Sequence, residues 1–582
     1  MARRRSFAAR LLLAVASAVA TALLGLAAIA LLDRSGWLPL PRPPPHFVVV
    51  PDPADPTRPL RDGAGHPLYA IDPAAAARHG AADVGRYAMA REKAPGHLRI
   101  LSIGESTTFG AGFAPHASYS RFLEARLRRQ LARDGLEVVN CGKNGYDSHD
   151  WPTLARELPA FAPDLLLLYV GHNELKKPNL LGVVQPSLAR RARSRLLQQL
   201  WPLPRDTLAP PPRVAEGDFL SAEQRAFACE LFVDGVAALL DVARERAIPV
   251  VVCLPASNVA DHPPRYSRIG PGPDAAARAA AVEAVARAID SLPLRPLASA
   301  PPEAPEPQRA AAWLAEVEHA LAGEPDAALL HWRRGRLLLA LGRREEARTA
   351  FARSLALDGL PERASPDLIA ALDALAQARG ALRVDLQPLF DAADPLGVAG
   401  DELFYDYCHP RLFGHWRIAD ALLATLRTSG LVAPESAFDP SREPAGDDAA
   451  RFAAYCRELQ VSEAQSGQQL LYEARAVATQ LGTLPTIPPE AWRNVGELLD
   501  AALRLAPALE RDPFQRFLAA LVAASAGARD DARARLLAFE RDDPEGLAQL
   551  LPHVAALPGL VDTLRSAGVA IDSARLTWEG KP

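Results

Sequence analysis

Five short strand-like runs constrain this chain more than any other feature. They are residues 98–103, 137–141, 165–170, 249–254 and 382–386, each followed by glycine or polar loop residues. Between them lie stretches with helical spacing. Residues 118–134 put Phe122, Leu123, Leu127 and Leu131 on one face after Ser118 or Ser120 as cap. Residues 150–161, 221–246 and 412–423 also read as helices. Strands of five or six residues alternating with helices predict an α/β fold with a doubly wound parallel sheet. Near-continuous apolar strands fit burial on both faces.

In such a sheet, ligands bind outside the carboxyl ends of the strands. The residues standing there are therefore the candidate site. The first run ends at Gly104-Glu105-Ser106, the second at Asn140-Cys141-Gly142, and the third at Gly171-His172-Asn173-Glu174. After the fifth comes Asp406-Tyr407-Cys408-His409-Pro410, opening the helix at 412–423. A serine hydroxyl needs a base within hydrogen-bond reach to act as a nucleophile. His409 can be that base, and Asp406, three residues earlier, can hold its ring in one tautomer. A developing oxyanion needs donors aimed at it. The backbone N–H groups of Ser106 and Gly142 and the Asn173 amide are placed to supply them.

These four blocks, in this order, resemble those of the SGNH (GDSL-like) hydrolases. The resemblance covers residues 97–290 and 360–427 and implies a flavodoxin-like fold. It implies Ser106 as nucleophile, His409 as base, Asp406 as its orienter, and Ser106, Gly142 and Asn173 in the oxyanion hole. Glu105 and Glu174 stand where the family usually has Asp; both are expected to support the site from behind. Tyr169-x-Gly-His-Asn-Glu, residues 255–264 and Asp406-x-x-His409-Pro410 resemble a bacterial subgroup with tetratricopeptide repeats inside the hydrolase domain. His172 is expected to be a loop histidine satisfied by backbone. Asn258 and Asp261 are expected as turn residues, and Arg363 as a surface arginine. Cys141 and Cys408 flank site residues, and a disulfide between them is one expectation.

A chain of 582 residues is too long for one core. Residues 305–358 read as mostly helical, and Gly335, Gly342, Ala347 and Phe351 fall at positions of a 34-residue tetratricopeptide repeat. Trp332 is one place off. Ala520, Gly527, Ala532, Leu536 and Pro544 repeat the offsets. At the N-terminus, Arg3, Arg4, Arg5 and Arg10 precede an uncharged apolar run of about 22 residues, 11–32, long enough to span a bilayer. A cleaved signal is the alternative, with Ala28 and Ala30 as a small-residue site. The expected domains are an anchor at 1–35 and a Pro-rich stalk and lead-in at 36–96. The hydrolase follows in two parts, 97–298 and 361–430, around a tetratricopeptide-like insert at 299–360. A helical repeat-like domain closes the chain at 431–582.

Net charge is −4, with no basic domain, so no nucleic-acid partner is expected. Five cysteines are too few for a disulfide framework. No paired histidine spacing suggests a metal, and no cofactor is expected. The reading is an exported, single-pass, membrane-anchored serine esterase. Its expected partners are an O-acylated carbohydrate or other small ester, a protein docked on the helical repeats, and the inner membrane. An O-acyltransferase with the same triad, and a repeat scaffold with an inert hydrolase domain, are the competing readings.

Overall fold

The computed structural model describes residues 45–73, 76, 87–111, 117–175, 220, 222–270, 274–288, 307–461, 491–555, 557–572 and 575–578, with scattered positions between 467 and 478. The chain divides into two units: Met1–Pro45 with Lys177–Leu231, and His46–Lys176 with Phe232–Pro582. The first is described only at residues 45, 220 and 222–231. The expected membrane helix at 11–32 lies outside the described residues. Among the described residues no single helix is long and apolar enough to cross a membrane.

The second unit begins with small antiparallel pieces. Val48–Val49 (β1), Leu68–Ala70 (β4) and Ala88–Ala90 (β5) form one sheet, and Pro51–Asp52 (β2) pairs with Asp55–Pro59 (β3). This corrects the expected stalk over residues 46–60. Phe47 and Val50 are buried, the Phe47 ring packs 4.3 Å from that of Phe161, and the N–H groups of His46 and Phe47 donate to Glu157. Prolines stiffen this stretch, but an apolar residue at each end gives it something to fold onto.

The main sheet has five parallel strands: Leu98–Gly104 (β6), Leu136–Gly142 (β7), Leu165–Tyr169 (β8), Val250–Leu254 (β9) and Leu382–Asp385 (β10). Their spatial order is β10-β9-β8-β6-β7, the flavodoxin-like doubly wound order. Alternate residues feed two cores. Ile100, Val138, Leu165, Leu167, Val251 and Val384 pack on one face with helices Tyr119–Leu131 (α2) and Leu412–Ser429 (α11). Leu101, Ile103, Val139, Leu166, Leu168 and Val252 pack on the other with Trp151–Glu157 (α3), the 232–243 part of Ala222–Glu245 (α4), and Pro366–Ala378 (α9). Leu167 and Leu168 are adjacent and both fully buried, on opposite faces. Each such side chain contributes about 1.5–3 kcal/mol. A one-residue slip would exchange the two faces of the strand, so the register is tightly specified.

Between β9 and β10 the chain inserts Ala275–Ala288 (α5), Pro307–Gly323 (α6), Ala328–Ala340 (α7) and Arg344–Leu357 (α8). α6, α7 and α8 share an apolar core containing Leu314, Val317, Leu337, Ala347 and Phe351. Gly335 has a packing reason: a Cβ there would lie 2.6 Å from the Phe351 ring. Beyond α11 come Asp448–Glu458 (α12) and a separate helical core. That core holds Ala491–Leu505 (α13), Pro513–Ser525 (α14), Arg529–Asp542 (α15), Pro544–Ala555 (α16) and Pro558–Ser566 (α17). Val569–Asp572 (β11) and Arg575–Trp578 (β12) end it as a hairpin that helical periodicity did not suggest.

Candidate active site

Ser106 opens a four-residue helix, Ser106–Phe109 (α1), directly after β6. Its N–H lies in the first turn, where backbone donors have no intrahelical acceptor. The turn is close-packed. A Cβ on Gly104 would lie 2.3 Å from the Tyr169 carbonyl, and one on Gly142 would lie 2.3 Å from the Phe109 backbone nitrogen. Only glycine lets α1 settle between the ends of β7 and β8. Asn140 fixes α1 from the side: its Nδ2 donates to Thr108 O at 2.7 Å and to Ser118 Oγ at 3.2 Å. Glu105 ties the same turn to the end of β8. Its two carboxylate oxygens accept from the N–H groups of Gly171 at 2.7 Å and His172 at 3.1 Å.

His409 approaches from the loop before α11. Its Nε2 lies 2.7 Å from Ser106 Oγ, and its Nδ1 lies 2.6 Å from Asp406 Oδ2. Asp406 Oδ1 accepts the backbone N–H groups of Cys408 at 2.9 Å and His409 at 2.8 Å. Burial alone would raise the Asp406 carboxyl. The His409 charge, the hydrogen bond to its ring and the two backbone donors outweigh burial and hold the carboxyl at about 2. Asp406 is thus an anion at neutral pH. It keeps the hydrogen on His409 Nδ1 and leaves Nε2 to accept from the Ser106 hydroxyl. The arrangement can take a proton from Ser106 Oγ as that oxygen attacks a carbonyl carbon. All three residues are buried, which strengthens these charge-assisted contacts.

The Asn173 amide is anchored: its Nδ2 donates to Tyr146 O at 2.8 Å, and a second Nδ2 hydrogen remains. Gly142 requires a correction. Its N–H donates to Asn140 Oδ1 at 2.9 Å, so that donor is already committed within the structure. What Gly142 supplies is close approach of α1 to β7. Gly145, three residues on, stands in the exposed turn at φ +77°, beside the Tyr146 carbonyl that holds Asn173. Asn144-Gly145 is a turn-forming dipeptide.

His172 Nδ1 accepts the Ala364 N–H at 3.3 Å, so backbone does engage this ring. Asn258 and Asp261 do form a turn, with the Asp261 N–H donating to Asn258 Oδ1 at 3.0 Å. Arg363 is a correction: it is buried, not at the surface. Its guanidinium donates to the carbonyls of Asn258 and His262, and burial pushes it down to about 10. Cys141 and Cys408 are not joined by a disulfide, which corrects the expected pairing. Asp406, Cys408 and His409 place three ligand-type atoms within 4.8 Å of one another, a set that could hold a metal ion. Here the carboxylate and the imidazole face each other across a hydrogen bond. Glu174 accepts the Ser148 N–H at 3.0 Å; burial, then Asp147 and Glu105, push its carboxyl well above the usual range.

Residues 102–317 match the GDSL-like Lipase/Acylhydrolase family. That stretch is similar to GDSL-like acylhydrolases, and the chain is an enzyme of the serine ester hydrolase class. The matched stretch contains Ser106, Gly142 and Asn173, whereas Asp406 and His409 lie beyond its end, after the helical insert. No curated protein matches this chain. Similar solved structures include an acetylxylan esterase from Geobacillus stearothermophilus. It is 13% identical, with 57% of this chain and 95% of that one covered, at a TM-score of 0.27. An α/β hydrolase from the metagenome of Lake Arreo, Spain, is 17% identical over 58% of this chain and 97% of its own, at 0.26.

Proposed function

We propose that this GDSL-like domain hydrolyses O-acyl esters through an acyl-serine intermediate on Ser106. The observation that carries the reading is the hydrogen-bonded line Ser106–His409–Asp406, with spacings of 2.7 and 2.6 Å. Ser106 Oγ bonds to the ester carbonyl carbon while His409 Nε2 takes its proton. The carbonyl oxygen becomes an oxyanion, held by the Ser106 N–H and the Asn173 amide. Collapse expels the alkoxide, which leaves as an alcohol with the proton from His409. Water then attacks the acyl-serine with His409 again as base, and the carboxylic acid departs.

A built line of this kind speaks against an inert scaffold. The insert and the C-terminal helices are read as tetratricopeptide-like pairs that dock a partner, and the run at 11–32 as a membrane anchor for an exported enzyme. Hydrolysis is tested with 4-nitrophenyl acetate, comparing the native chain with Ser106→Ala and analysing products with and without a sugar acceptor. Free acetate from the native chain alone supports the esterase. Acetylated sugar in place of acetate makes it a transferase. Equal turnover by Ser106→Ala removes the reading.

A further inference from the structure

A side chain from the C-terminal part of the chain reaches the ring that stacks on His409. Tyr405 stacks on the His409 ring at 5.4 Å and 10°, and its hydroxyl donates to Ala111 O at 2.7 Å, which fixes it. The ring of Tyr472 meets Tyr405 edge-on at 5.6 Å and 89°. Tyr472 belongs to the C-terminal part of the chain, where Leu471, Ala474 and Ala478 bury their side chains in the helical core. Tyr472 is not in that core. It is 39% exposed, one of few large apolar side chains so exposed. The half-buried Tyr407 ring also packs against the imidazole, at 5.7 Å and 66°.

We propose that Tyr472, with Tyr407, is the platform on which a carbohydrate ester rests its sugar ring while its acyl group reaches Ser106. This rests on the esterase reading. A tyrosine offers a flat apolar face and a hydroxyl at the edge, at small conformational cost. A pyranose ring offers the matching surface, with C–H groups on its face and hydroxyls around it. In this proposal the alcohol side of the bound ester extends over Tyr472, one ring beyond Tyr405. The C-terminal domain thereby takes part in substrate choice.

The test uses the full chain and two substrates, an O-acetylated xylo-oligosaccharide and 4-nitrophenyl acetate. The ratio of kcat/KM for the sugar ester to that for the small ester is expected to fall at least fivefold in Tyr472→Ala, mainly through KM. Tyr472→Phe and Tyr472→Trp, which keep a flat ring, are expected to retain the ratio within about twofold. An unchanged ratio in Tyr472→Ala, or a loss as large in Phe and Trp as in Ala, overturns the platform. So does a native enzyme that cleaves 4-nitrophenyl acetate or long-chain lipid esters but no sugar ester; the Ser106 reading then stands. Titrating xylohexaose into Ser106→Ala protein gives a readout independent of catalysis. Binding at least fivefold weaker on adding Tyr472→Ala supports the platform, and no binding by Ser106→Ala protein overturns it.

Discussion

His409 Nε2 lies 2.7 Å from Ser106 Oγ although 303 residues of chain separate them. The parallel sheet accounts for this. Ser106 follows β6 and the 406–409 loop follows β10, so both sit at the carboxyl edge. The insert lengthens the intervening chain without moving that edge.

Asp406→Asn is expected to lower kcat by about 10⁴-fold, because an amide no longer fixes the tautomer of His409. The same residue gives an acid signature. Its carboxyl is held below the unfolded value, so its stabilising contribution is complete above about pH 4. It is lost as pH falls toward 2, and amounts to about 2 kcal/mol. Urea titrations from pH 5 to pH 2 should show the native chain losing this increment and the Asn variant lacking it.

Asn173→Ala and Gly142→Ala should separate chemistry from packing. Removing the anchored amide is expected to cost about 10²–10³ in kcat with a small change in Tm. A methyl at Gly142 meets the Phe109 nitrogen and the Thr108 carbonyl carbon, both backbone, so it is expected to lower Tm or soluble yield first. Thermal melts and initial rates on the two variants check this.

The insert reaches the catalytic loop through polar contacts. Arg336 on α7 donates to Asp261 Oδ1 at 3.2 Å, and Asp261 Oδ2 accepts the Asp401 N–H at 3.0 Å. Asn258 Nδ2 donates to Asp401 Oδ1 at 2.8 Å, and the Asn258 N–H donates to Tyr407 O at 3.1 Å. Arg336→Ala leaves the buried Asp261 charge without that partner and is expected to cost about 3 kcal/mol in urea unfolding. Loosening the 401–409 segment should also lower kcat roughly tenfold. An unchanged kcat would break the proposed link.

Glu174 has the opposite pH behaviour to Asp406. Its carboxyl is raised in the fold, so the native chain holds a proton that the unfolded chain releases above about pH 4. Stability therefore falls as pH rises through that range. Glu174→Gln keeps an acceptor for the Ser148 N–H and removes the charge. Its Tm gain is expected to be larger at pH 8 than at pH 5.

The five strands and the helices between them were legible because both faces of the sheet are buried, which leaves unbroken apolar runs such as Leu165 to Leu168. Ser106 stood out because a run ends just before it, and Asp406 and His409 because three residues of spacing let one loop offer both a carboxylate and an imidazole. Gly142 was misplaced because a strand-end glycine reads alike whether it offers an N–H or only makes room. The capture of its N–H by Asn140 depends on a side-chain rotamer. Arg363 looked like a surface residue because its acceptors, two carbonyls around residue 260, come from a distant loop. Phe47, Val50 and Tyr472 find their partners across the tertiary structure, and no local periodicity marks such contacts.

In the proposed reaction Ser106 is a nucleophile activated by His409. The decisive measurement is treatment of the full chain with a fluorophosphonate probe and mapping of the modified peptide by mass spectrometry. A single adduct on Ser106, slowed at least a hundredfold by His409→Ala, is expected. An unlabelled Ser106, or labelling at an equal rate in His409→Ala, would contradict it.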